Sequence, residues 1–137
     1  MVEIENSFKI IAGEIIEFDI KPHLDISFSN DFLLAYDIEQ EQQLNKEKRL
    51  LFFNTSVGIR KKETGELLVS LKALTVFEIR DFEKNVQLIE PNQFSLPREI
   101  NTSMSRIAVS VTRGLLSGKL KDTYLPHAIL PLLPFEY

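Results

Sequence analysis

Few residues in this 137-residue chain have types and spacings that could carry covalent chemistry. The two histidines, His23 and His127, are far apart, and neither shares a helical pattern with a second ligand. A zinc site needs several N, S or O donors brought together, so no metal is expected. Ser103 and Ser105 have no base beside them, and residues two apart on a helix do not share a face. A nucleophile needs a base within hydrogen-bond reach. Glu99 reads as an acid favouring the positive start of a helix, and Arg113 as a cation offsetting the negative end. The alternative for Arg113 is a partner carboxylate across an interface. There is no glycine-rich phosphate loop. The expectation is a protein without catalysis, cofactor or metal.

Bulk properties point the same way. The mass of 15.8 kDa suits one domain, residues 1–137. Apolar residues make up 44% of the chain, enough for a core. A net charge of −4 speaks against nucleic acid, which calls for a basic face. Residues 1–47 carry 3 basic and 11 acidic side chains, whereas the rest is net basic. Such asymmetry suits solvated faces, or an acidic edge meeting a basic partner or a second copy. Without cysteine the chain suits a reducing compartment, and its acidic start is unlike a signal peptide. No stretch is long and apolar enough to span a membrane. A cytoplasmic protein is expected.

The elements that must position any site are mostly strands. Phe8 to Ile20 alternates with period two, and Ile10, Ala12, Ile16, Phe18 and Ile20 share one parity. Pro22 ends that strand because it supplies no N–H. A second extended stretch runs from Leu24 to about Glu41, bent near Ser29–Asp31. The polar run Glu39 to Lys48 reads as a loop. The clearest hairpin pairs Leu50–Lys62 with Glu66–Phe82 across Glu63-Thr64-Gly65, with the glycine placed for positive φ. Its core faces carry Leu51, Phe53, Val57 and Ile59, then Leu67, Val69, Leu71, Ala73, Phe77 and Ile79. The opposite face is less polar than a solvated sheet face should be. Leu50, Phe52, Leu68, Leu74, Val76 and Phe82 stand there among Ser56, Ser70, Lys72, Glu78 and Arg80. It is either covered by the chain's own loops or tail, or it is an oligomer interface or a client surface.

Residues 83–95, with Val86, Leu88, Ile89 and Phe94, suggest a short helical turn or another strand. One long helix follows, about Pro97 to Leu116, with Ser95 as its cap and Gly114 or Gly118 as its end. Ile100, Met104, Ile107, Val111 and Leu115 form its apolar stripe, so Ile107 and Val111 are expected in the core. Small residues on its second face would let another helix approach. An apolar extended tail from Tyr124 to Phe135 closes the chain.

Long antiparallel strands, a helix closing in Thr112-Arg113-Gly114, and the segment Leu130-Pro131-Leu132-Leu133 together resemble the SecB-type protein-export chaperones. Arg113 and Gly114 take the family's helix-end positions, and Pro131 the proline of the following segment. The family's helix entry survives only as Leu96-Pro97-Arg98-Glu99. The chain stops at Tyr137, so the resemblance does not extend to the second helix and translocase-binding tail.

The resemblance implies an α+β fold: a four-stranded or slightly larger antiparallel sheet of long strands with one long helix on one face. It implies a homo-oligomer, dimer or tetramer, with apolar grooves for unfolded or preprotein polypeptide. The leading expectation is therefore a cytoplasmic SecB-like holdase or adaptor. The second is a non-enzymatic interaction protein of the same fold with one dedicated partner. The third is a small-ligand-binding hot-dog-like domain, suggested by Glu99 near a helix start.

Overall fold

The computed structural model describes residues 7–22, 33–90, 93–125, 128 and 130. Four strands come first: β1 (Phe8–Ile20), β2 (Leu34–Asn45), β3 (Leu50–Lys61) and β4 (Leu67–Ile79). They form one antiparallel sheet in the order β1-β4-β3-β2. A short helix α1 (Phe82–Asn85) and a small hairpin, β5 (Gln87–Glu90) with β6 (Gln93–Ser95), lead into the helix α2 (Arg98–Leu120). At 23 residues, α2 is roughly 34 Å long and lies along one face of the sheet.

The β3–β4 hairpin turns at Gly65, which has φ 74°, as its place in the turn requires. The second strand differs from expectation. β2 continues to Asn45, and Glu39 to Asn45 is strand rather than loop. Its polar side chains have partners. Gln40 Nε2 donates to Thr55 Oγ1 at 3.3 Å and to the Ser105 carbonyl at 3.2 Å. Gln42 Nε2 donates to Asn101 Oδ1 at 2.8 Å. The strand alternates, but with glutamine where an apolar residue was sought. The bend expected near Ser29–Asp31 lies outside the described residues.

β1 spans the expected residues, but two bulges break its parity, between Ile10 and Ala12 and between Ile15 and Glu17. Each extra residue reverses the side on which the following residues point. Ile15, Phe18 and Ile20 pack on the core, whereas Ile10, Ile11 and Ile16 are 44%, 48% and 47% exposed. A third irregularity, between Ile59 and Arg60 opposite the start of β4, acts similarly. It buries Leu68 beside Val69 and leaves Leu67 exposed.

The helix ends four residues later than expected. It starts after Pro97 without a side-chain cap, because Ser95 belongs to β6, and it runs through Gly114 and Gly118 to Leu120. A glycine within a helix costs only about 1 kcal/mol relative to alanine, so neither is an obligatory stop. The buried line is Ile100, Met104, Ala108, Thr112, Leu116 and Leu120, a run at intervals of four. Ile107 and Val111 are half-buried flanks rather than the centre of the stripe.

The core divides into two clusters. Leu51, Phe53, Phe77 and Ile79 pack with Phe82, Ile100 and Met104 at one end. Phe77 meets Phe53 and Phe8 edge-on, with ring centroids 5.3 and 5.5 Å apart. Val57, Ile59, Val69 and Leu71 pack with Val109, Leu116, Leu120 and Leu130 at the other. Between them the sheet carries smaller residues: Gly13 opposite Thr75, and Thr55 opposite Ala73. Thr75 is fully buried and its hydroxyl has no partner among the described residues. The helix answers with Ser105, Ala108 and Thr112, whose hydroxyl donates back to the Ala108 carbonyl at 2.7 Å.

At this waist, helix and sheet approach closely at Gly13. A Cβ there would stand 2.7 Å from Val111 Cγ1. Val111 is β-branched and has one favoured rotamer in a helix, so it cannot swing aside. Gly13→Ala is expected to destabilise the fold by about 1–3 kcal/mol through overpacking. Adding Val111→Ala should return part of that loss. Chemical denaturation of the two single variants and the double variant measures the coupling, and strictly additive effects would show that the helix does not rest on Gly13.

Candidate functional site

The side of the sheet away from α2 is not uniform. Reading across the strands from β2 to β1, two rows are polar: Asp37, Gly58, Ser70 and Asp19, then Glu39, Ser56, Lys72 and Glu17. The next two are mixed: Glu41, Asn54, Leu74 and Glu14, then Gln43, Phe52, Val76 and Ala12. The apolar character expected of this face is thus confined to one half, behind the aromatic cluster of the core.

A groove of about 970 Å³ opens over that half. Phe52, Asn54 and Leu74 form its floor, and Gln42 to Glu47 supply one wall from the end of β2 and its turn. Leu88, Gln93 and Phe94 of the β5–β6 hairpin supply the other. The hairpin is held from below, since Phe94 packs on the Phe53–Phe77 cluster while Leu88 remains 48% exposed. A second cavity of about 480 Å³ lies toward the start of α2, lined by Ile89, Ser95, Leu96 and Asn101. The two share Gln42, Gln93 and Phe94, so together they wrap around the β2 edge.

Of the six apolar residues anticipated on this surface, Phe52 and Leu74 line the groove. Val76 lies beside Phe52 in the register, but only 8% of it is exposed. Leu50 is half-buried on the same face, opposite Asn45 and Glu78. Leu68 and Phe82 are elsewhere. The irregularity at the start of β4 turns Leu68 into the core, and α1 folds Phe82 under the sheet end against Phe77's cluster. Sequence reasoning missed Asn54, Gln43 and Gln93, and it did not place Leu88 and Phe94 beside Phe52. A polar residue within an apolar strand face was the available signal for Asn54.

The other anticipated residues do not converge. Arg113 and Gly114 lie inside α2, not at its end, and Gly114 faces open space. Pro131, His23 and His127 lie outside the described residues. Ser105 is buried with its carbonyl bonded to Gln40, and Glu99 is exposed. Among the described residues no cluster of His, Cys, Asp and Glu could hold a metal ion.

Charge chemistry is concentrated at the far end of the sheet. Lys21 hydrogen-bonds Glu66 and thereby holds its carboxyl below the usual carboxylate range. Burial, then the nearby Glu66 charge, pushes the Tyr124 hydroxyl up. Tyr124 donates to the Lys21 carbonyl at 2.8 Å. Leu125, Ala128 and Leu130 are buried in the core cluster on the helix side. The described part of the tail therefore packs into the core and does not cover the groove.

Among solved structures, the chain matches the Mycobacterium tuberculosis SecB-like chaperone Rv1957, which was solved in complex with a ChAD peptide from the Rv1956 HigA1 antitoxin. The match has a TM-score of 0.62 and covers 96% of this chain and 91% of that one, at 12% identity. The fold is SecB-like. No protein-family model matches the chain, and no curated protein sequence matches it. Among the described residues no helix is long and apolar enough to cross a membrane.

The placement of Leu68 has a direct consequence. Leu68→Ala should cost about 2–4 kcal/mol, as for a fully packed leucine. The neighbouring Leu67→Ala should cost under about 0.5 kcal/mol, as for a surface change. Equal effects in urea unfolding would restore simple alternation through the start of β4.

Proposed function

We propose that this protein is a non-enzymatic, SecB-like chaperone or adaptor that holds unfolded or disordered polypeptide in the groove over Phe52 and Leu74. The observation that carries this is the groove itself: an aromatic and an aliphatic floor, left open by the described tail and flanked by an exposed leucine. Each 100 Å² of client apolar surface covered would contribute about 2.5 kcal/mol, offset in part by ordering the client. Binding and release of this kind need no turnover chemistry. A preference for one dedicated partner is the second reading, because the solved SecB-like relative holds a peptide from one antitoxin. A cysteine-free chain suits a reducing compartment, and the cytoplasm is the proposed location.

The test is suppression of aggregation. The parent protein should slow the aggregation of several unrelated denatured proteins, and Phe52→Ser with Leu74→Ser should remove most of that activity without unfolding the protein. Activity toward a single partner supports the adaptor reading. No effect of the double substitution would exclude this groove.

A homo-oligomer is part of the same proposal. Ile10, Ile11 and Ile16 expose apolar surface on β1, a strand at the sheet edge. Long apolar edges in soluble proteins are ordinarily paired or protected. Light scattering should therefore give a multiple of the 15.8 kDa chain mass. Ile11→Lys with Ile16→Lys should lower it toward one chain, and a parent monomer at micromolar concentration would dismiss the pairing.

A further inference from the structure

The groove is not simply apolar. Five of its lining residues are carboxamides: Gln42, Gln43 and Asn45 from the end of β2, Asn54 from β3 and Gln93 from β6. Two of these are occupied. Gln42 bonds Asn101, and Asn45 Oδ1 accepts the Lys48 N–H at 3.0 Å. The side-chain amides of Gln43, Asn54 and Gln93 have no hydrogen-bond partner among the described residues. Asn54 is half-buried beside Leu74 in the register, Gln43 stands exposed beside Phe52 on the same sheet face, and Gln93 is exposed on the β5–β6 hairpin.

A carboxamide offers one acceptor oxygen and two donor hydrogens, the same complement that a peptide group presents. An extended chain entering a wholly apolar groove would strip water from its N–H and C=O groups without replacing it, which is costly. Uncommitted amides on the sheet face and on the facing hairpin remove that obstacle. They are neutral, and the charged lining side chains Lys46 and Glu47 are adjacent and opposite in sign, so no charged ligand is selected. Phe52, Leu74, Leu88 and Phe94 meanwhile offer apolar contacts at separate points along the same groove.

We propose that Gln43, Asn54 and Gln93 hydrogen-bond the main chain of an extended, uncharged polypeptide segment whose apolar side chains rest on Phe52, Leu74, Leu88 and Phe94. This rests on the reading of the groove as a polypeptide site, and it adds how the groove tolerates many sequences. Carboxamides address what every peptide has in common and leave side-chain identity to loosely shaped apolar contacts. It is the side-chain counterpart of strand addition, in which main-chain bonds give affinity and pockets give preference.

The experiment uses a short fluorescein-labelled peptide alternating Phe and Ser, followed by fluorescence anisotropy against the full-length protein. The variant Gln43→Met, Asn54→Leu, Gln93→Met replaces each amide by an apolar side chain of similar shape. It should weaken binding about tenfold, from the loss of several modest hydrogen bonds. The same peptide N-methylated at alternate residues should bind the parent about tenfold more weakly, and the variant should no longer distinguish the two peptides. Because Asn54 is half-buried, the pair Gln43→Met, Gln93→Met, both at exposed positions, serves as a second variant and should show a smaller loss in the same direction. If Phe52→Ser weakens the unmodified peptide but the amide-free variants bind it as tightly or more tightly, the main-chain role is overturned and the chaperone reading stands. If the unmodified peptide fails to bind, or binds regardless of Phe52→Ser, both fall together.

Discussion

Val111 Cγ1 lies 2.7 Å from where a side chain on Gly13 would begin, and this close approach of helix to sheet governs the rest of the molecule. Where a helix comes close to a sheet, small side chains on either surface leave room for the approach at interior packing density. Gly13, Thr55, Ala73 and Thr75 provide this on the sheet, and Ser105, Ala108 and Thr112 on the helix. Large side chains can then fill the spaces on either side, which is why the core is two clusters rather than one. Threonine at position 75 keeps the waist narrow while leaving a buried hydroxyl without a partner among the described residues. The first bulge in β1 belongs to the same arrangement, because it brings Gly13, rather than Ala12, to the helix side.

That dependence separates what could be read in the sequence from what could not. β1, the β3–β4 hairpin with its Gly65 turn, and the existence of α2 follow from local pattern and turn chemistry, and the structure has them at nearly the expected residues. The end of β2 was hidden because its helix-facing positions are Gln40 and Gln42. Their partners, Thr55, Ser105 and Asn101, are remote in sequence. The helix end was misplaced because Gly114 and Gly118 are open to space and impose no conformation there. The orientation of α2 was off by part of a turn. Hydrophobicity alone favours Ile107 and Val111, whereas the waist demands Ala108 and Thr112 on the axis.

The candidate site was legible only in part, for a related reason. Phe52 and Leu74 could be recognised as apolar residues on a face where polar ones would do. The bulge that buries Leu68, and the helical turn that buries Phe82, are consequences of pairing and chain reversal that period-two counting cannot see. The wall across the groove belongs to a hairpin whose strands are four and three residues long, too short to leave a periodic signal. Its amides carry no signature in isolation and acquire meaning only beside Phe52 and Asn54.

The position of the groove follows from the two-cluster core. Along β3, Phe52 faces the groove and Phe53 the core, and along β4, Leu74 faces the groove and the buried Ala73 the core. At this end of the sheet the outer surface carries apolar residues among polar ones, and the central strands are backed by Phe77 packed edge-on between Phe8 and Phe53. At the other end the outer surface is polar, with Ser56, Lys72, Ser70 and Asp19, and water suffices to cover it. A surface that must meet many extended chains gains from a stiff floor, since a floor that reorganised would add its own ordering cost to that of the client. The aromatic cluster provides this stiffness from behind. The adaptable parts, Leu88 and the amide side chains of Gln43 and Gln93, are exposed. Rigidity below and adjustable polarity at the sides is the division of labour expected where main-chain hydrogen bonds must form with differing register while the apolar contacts stay in place.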